Sequence, residues 1–184
     1  MAQLATLRDA LVEELKDLYS AEQQLLQALP KMEKRVSNED LKEALRAHLD
    51  ETKQQVDRLN QIAHALSTKL TGKVCVAMQG LIEEANQAMQ QKVDNEDLLD
   101  TMLVSCAQRI EHYEIAGYGT ARAISDALGE EEIADLLDRT LAEESAADEK
   151  LSAISEEDLL PELARLDSES EEEAEEGEGA GARE

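Results

Sequence analysis

Four times along this chain, apolar side chains recur in steps of three and four, and each series carries a glutamate where the period asks for a leucine. The first series is Leu4, Leu7, Leu11, Leu15, Leu18, Glu22, Leu25 and Leu29. The second is Leu41, Ala44, His48, Glu51, Gln55, Leu59, Ile62 and Leu66. A third runs Leu99, Leu103, Cys106, Ile110, Glu114, Gly117, Ala121, Ile124 and Leu128, and a fourth Ile133, Leu137, Leu141, Glu144, Asp148 and Leu151. Such spacing places each series on one face of a helix. Pro30 and Pro161 are the only prolines, Trp and Phe are absent, and Leu and Ala supply most of the apolar content. That usage favours helices packed on helices. The expected fold is all-α.

Punctuation between the series sets the topology. Pro30 loosens the last turn of the first helix without forbidding it. Ser37 or Asn38 caps the second, with Ser37 and Asp40 at capping-box spacing. The second helix is expected to end near Thr71–Gly72. From Gly72 to Asp94 lies a connection too long to be structureless in a compact domain, and Val76–Gln91 within it reads as a short amphipathic helix. Asp94 or Asn95 caps the third long helix and Gly129 closes it. One further turn is expected near Pro161–Leu166. Two helical hairpins joined by a long crossover with a short fifth helix describe a ferritin-like antiparallel four-helix bundle over residues 1–166.

Residues 167–184 are an acidic segment of Asp, Ser, Glu, Gly and Ala with one Arg, whose composition cannot bury a core and is expected to be a disordered tail. It contributes −8 to a net charge of −25, leaving −17 on the body. A polyanion of this kind repels nucleic acid and anionic membrane surfaces. It suits multivalent cations, or simply a solvated surface. Cys75 and Cys106 stand alone with no disulfide or metal spacing, and charges interrupt every apolar run before a membrane span forms. A cytoplasmic protein is the default expectation.

The four glutamates carry the chemistry. A carboxylate facing a helical core is costly unless it is paired or bound to a metal. Glu22 and Glu51 lie equally far from the Val36–Ser37 turn, and Glu114 and Glu144 equally far from Gly129. At ~1.5 Å per residue, each pair meets level across its hairpin. Whether the two pairs share a level depends on the crossover. Converging carboxylates repel unless protonated or bridged by cations, and hard oxygen donors suit Fe, Mn, Mg or Ca. Di-iron bundles use Glu-x-x-His on two helices. Here Gln54 and Ala147 stand in the His positions, leaving Gln55, Asp148 and His48 as the nearest substitutes, with His48 read as a hydrogen-bond partner for a carboxylate. The plainer alternative makes all four glutamates boundary acids paired with Lys or Arg. Tyr19 is either a donor beside the site or a packed ring. Gly117 and Gly119, unfavourable inside a helix, point to close helix approach beside Glu114 or at a dimer contact. No nucleophile–base pair is evident.

The segments LKDLYSAEQQLLQALPKM (15–32), HLDETKQQVDRL (48–59), CVAMQGLIEE (75–84), IEHYEIAGYGTA (110–121) and TLAEESAADEKL (140–151) resemble the YciE/YciF family of bacterial stress proteins, in family order over residues 3–155. The resemblance implies a ferritin-like bundle, a homodimer and a di-metal site. It marks Glu22, Glu51, Glu114 and Glu144 as ligands, with Glu111, Gln55 and Asp148 as second candidates. Two functions are then open. One is a metalloprotein holding two Fe or Mn ions and handling metal or peroxide under stress. The other is a metal-free dimeric structural or interaction protein.

Overall fold

The computed structural model describes the backbone of residues 4–181 and the side chains of residues 4–170. Its long helices are α1 (Leu7–Arg35), α2 (Glu39–Ala65), α4 (Glu96–Leu128) and α5 (Glu131–Ala153). The shorter α3 (Val76–Ala88) lies in the crossover, and a π-helical segment (Ile154–Leu159) leads from α5 into α6 (Leu160–Gly181). No strand occurs among the described residues.

The ends of these helices show which cap signals win. Thr6 and Asp9 close a reciprocal capping box on α1, and Pro30 lies inside a helix that continues to Arg35. The Ser37–Asp40 capping box does not form. Asn38 is the cap, accepting from the Leu41 N–H at 2.9 Å. Ser37 instead donates its N–H (3.0 Å) and hydroxyl (2.7 Å) to Asp100 of α4. Asp100 is fully buried and also accepts from the Asn38 N–H, so it clamps the α1–α2 turn to α4. Helix α2 ends at Ala65, earlier than Thr71–Gly72, because the chain turns through Ser67 (φ 51°) to bury Leu66 and Leu70. Gly72 (φ 100°) serves the turn after that.

Helix α1 runs antiparallel to α4, as the contacts Arg35–Glu96, Leu18–Gly117 and Arg8–Glu130 require. It packs against α2 and α4, while α5 packs against α4 and α2. The order around the bundle is therefore α1, α2, α5, α4. The diagonal pair α2 and α4 point the same way, so the chain between them must travel the length of the bundle, and α3 rides on α1 and α4 as it does so. This is the ferritin-like arrangement with one long crossover. Gly117 sits at the α1–α4 crossing, where a Cβ would stand 2.7 Å from Leu18 Cδ2. A Cβ on Gly119 would meet nothing within 4 Å.

Two apolar clusters fill the bundle. One gathers Leu25, Leu29, Met32, Leu41, Leu45, Leu99 and Leu103. The other gathers Leu11, Leu15, Leu18, Leu59, Ile62, Tyr118 and Leu137. A polar layer separates them. Beyond the bundle, the backbone stays helical through Gly181 where composition led us to expect disorder from Asp167. Leu159 and Leu163 are buried and anchor the start of α6, and Arg165 pairs with Glu162 and Glu169 one turn to either side. Residues 182–184 of the expected tail lie outside the described residues.

Candidate metal centre

The polar layer is assembled from all four long helices. On α2 the buried positions are Leu41, Leu45, His48, Thr52, Gln55, Leu59 and Ile62. This series shares His48 and Gln55 with the expected one but takes Leu45 for Ala44 and Thr52 for Glu51. Two leucines one turn apart set the rotation of the helix, since burying both removes more apolar surface than burying Leu41 with Ala44. Glu51 consequently lies at the edge of the layer with its side chain 40% exposed, and Thr52 points inward. On α4 the buried face is wide, because α1, α3 and α5 all pack on it. Glu111 and Glu114, one turn apart, both face the interior.

One donor atom each from His48, Glu111, Glu114 and Glu144 lies within 4.8 Å of all the others. The histidine Nε2 is 3.4 Å from Glu111 and 3.8 Å from Glu144, and its Nδ1 is 3.6 Å from Glu51. Glu22 is fully buried and accepts a hydrogen bond from the buried Tyr118 hydroxyl. Gln55 donates its amide to Glu144 (2.5 Å) and Glu143 (3.2 Å). Beside it, Arg58 reaches Thr140 and Glu143, closing that part of the α2–α5 seam. Asp148 turns away to Gln108 (3.2 Å) and His112 (3.6 Å). Tyr19 packs in the Leu11–Leu18 cluster, so Tyr118 is the tyrosine of the layer.

The structure thus gathers Glu111, Glu114 and Glu144, holds Glu22 beside them on Tyr118, leaves Glu51 at the rim and separates Asp148. It adds His48 to the donor set, which the sequence reading had assigned to hydrogen bonding. Neither ring nitrogen of His48 has a hydrogen-bond partner. Burying Leu45 in place of Ala44 turns Thr52 inward and Glu51 outward, while His48 and Gln55 face the interior on either series.

Burial dominates the electrostatics. It pushes Glu22 up to about 8, with the Tyr118 hydrogen bond and His48 pulling the other way. Glu111 is raised by burial, against the pull of His48. Glu114 and Glu144 lie well above the usual carboxylate range, through burial first and then through their acidic neighbours. For His48, burial opposes the charge, but Glu111, Glu51 and Glu22 outweigh it and push the imidazole up to about 9. The layer therefore holds protons at neutral pH unless a cation replaces them.

Hydrogen bonding leaves the same question. Glu22 Oε2, both His48 nitrogens, Gln55 Oε1, Glu111 Oε2, both Glu114 oxygens and Glu144 Oε2 are buried without a partner. Only Arg122 Nε joins them among such atoms of the described side chains. Buried polar atoms are ordinarily satisfied, so a concentration of convergent acceptors in one layer points to a bound cation. Four carboxylates and one imidazole fit a hard or borderline divalent ion.

Fold and site together define a ferritin-like helical bundle with a buried carboxylate–histidine cluster capable of holding a metal. The chain belongs to the family described as Domain of unknown function (DUF892), which it matches over residues 6–164. It is 44% identical to Protein YciF of Escherichia coli (strain K12) over 153 residues, covering 83% of this chain and 92% of that protein. The crystal structure of YciF, described as an E. coli stress protein, superposes with a TM-score of 0.79 at 43% identity over 82% of this chain and 95% of that one. YcfI of Rhodopseudomonas palustris gives 0.77 at 42% identity with the same coverage. A Xanthomonas campestris protein at 23% identity and TM-score 0.68, covering 88% of this chain and 99% of that one, shares the fold. No helix among the described residues is long and apolar enough to cross a membrane.

Proposed function

We propose that this chain is a ferritin-like stress-response metalloprotein whose polar layer binds Fe or Mn, about two ions as in the carboxylate bundles of this class. The observation that carries the proposal is Glu114. It is fully buried, both its oxygens lack a hydrogen-bond partner, and one of them lies within 4.8 Å of donor atoms from His48, Glu111 and Glu144. His48, Glu111, Glu114 and Glu144 would hold the ions, with Glu22 beside them. Bound Fe or Mn would supply redox chemistry toward metal or peroxide.

The chain's own residues prepare that layer. Tyr118 fixes Glu22 in orientation, and Gln55 holds Glu144 by its amide. Apolar clusters flank the layer on both sides along the bundle. Deprotonation of the acids accompanies cation uptake, so binding releases protons and tightens as pH rises. A homodimer, implied by the family resemblance, belongs to the same proposal, and sedimentation at twice the chain mass is its expected signature.

Anaerobic titration with Fe(II) or Mn(II) tests the metal. Saturable uptake is expected, with a rise in melting temperature equivalent to about 2.7 kcal/mol at 100 times Kd. Glu114→Ala should abolish both. A melting temperature indifferent to metals and chelators would leave the metal-free structural role as the better account.

A further inference from the structure

One cavity leads from the surface to the polar layer. It lies between the N-terminal part of α2 and the C-terminal part of α5, has a volume of about 330 Å³, and ends on His48 and Glu111. Both are at least nine-tenths buried, and each presents a donor atom without a hydrogen-bond partner. Asp40, Glu43 and Glu51 line the cavity together with Glu143, which is paired with Arg58, and Lys150 is the single Lys or Arg among the lining residues. Asp40 and Glu43 are exposed and make no ion pair among the described residues. Small side chains, Ala44 on α2 and Ala147 on α5, keep the walls apart. Helix α3 lies over α1 and α4, Tyr118 covers Glu22, and Gln55 and Arg58 bridge the rest of the α2–α5 seam.

We infer that this cavity is the port through which divalent cations enter the layer, and that Glu51 is its transfer ligand rather than a resident one. Glu51 is the carboxylate placed for that step, half-exposed yet 3.6 Å from His48 Nδ1. An acidic rim concentrates hydrated cations by its local field, an effect that salt screens. Glu51 then exchanges one water of the ion for a carboxylate oxygen, and passes the ion to the deeper donors. The inference rests on the proposed metal binding and adds a route to it.

Mn²⁺ uptake by the full chain, followed through loss of the free-ion EPR signal after rapid mixing, separates the two. Ala147→Leu and Ala44→Leu should each slow uptake at least ~10-fold with the final amount bound unchanged, since a leucine fills a passage framed by alanines. Ala116→Leu, on the exposed face of α4, should leave the rate alone. The double change Asp40→Asn with Glu43→Gln should slow uptake about 2- to 5-fold near 20 mM salt and lose that effect near 0.5 M. Because it alters only exposed side chains, it decides the matter should a wall variant fail to fold. Glu51→Gln should likewise slow loading and preserve the amount bound. Normal uptake by the wild-type chain with unchanged rates in the variants overturns the port alone. No uptake by the wild-type chain overturns both the port and the metal centre.

Discussion

Glu114 in the polar layer and Glu162 on α6 carry the same carboxyl group in opposite surroundings. Glu162 is solvent-exposed, and its hydrogen bond to Arg165 holds it below the usual range. Glu114 has no basic partner within hydrogen-bonding reach, and burial drives it far the other way. Both lie on helices, and both have acidic residues nearby in sequence. The difference comes from the solvent each loses on folding. An exposed ion pair gains little, because water already solvates both partners. A buried acid without a partner must take a proton, find a cation or destabilise the fold. The chain's acidity is thus two properties in one composition: a solvated surface charge, and a small strained set inside.

The contrast can be broken most strongly at Glu114 itself. Glu114→Met replaces a buried acid by an apolar side chain of similar volume, and the metal-free protein should gain about 1–3 kcal/mol in denaturant unfolding while losing metal uptake. A loss of stability instead would mean that the carboxyl holds the bundle together without metal.

A pH titration of metal-free stability sharpens the same point. Glu22 rises from 4.5 to about 8 on folding, and His48 from 6.5 to about 9. In both cases the folded state binds protons that the unfolded chain releases. The Glu22 contribution is fully present below 4.5 and is lost as pH rises toward 8. That of His48 is fully present below 6.5 and fades toward 9. Thermal melts of the chelated protein should therefore fall steadily from pH 5 to pH 9, and added Mn²⁺ should flatten or reverse the slope, since metal competes with those protons. A metal-free melting temperature independent of pH would remove the strained layer.

The smallest effect belongs to the surface. Arg165→Ala deletes both exposed pairs on α6, and the main melting transition should stay within experimental error. A marked drop would show that α6 is coupled to the bundle by more than Leu159 and Leu163.

Much of this arrangement was legible in the residues. Four stripes with period near 3.6, the turns at Val36–Ser37 and Gly129 and the long Gly72–Asp94 connection determined a helical bundle with one crossover, because helix periodicity is a local property. Glu22, Glu114 and Glu144 were visible as acids on apolar stripes for the same reason. Local pattern did not resolve which of two overlapping series on α2 faces inward. That rotation was decided by burying Leu41 and Leu45 together, which sent Glu51 to the rim and Thr52 inward, while His48 and Gln55 face the layer on either series. Nor could it show that Ser37 and Asn38 would be held by Asp100, whose partners lie more than sixty positions away. The sharing of one level by both hairpins was likewise set by the crossover and the α1–α4 contact at Gly117. Sequence alone determined that acids would stand on the apolar stripes. Only the tertiary structure decided which of them meet, because convergence depends on how whole helices rotate and slide against one another.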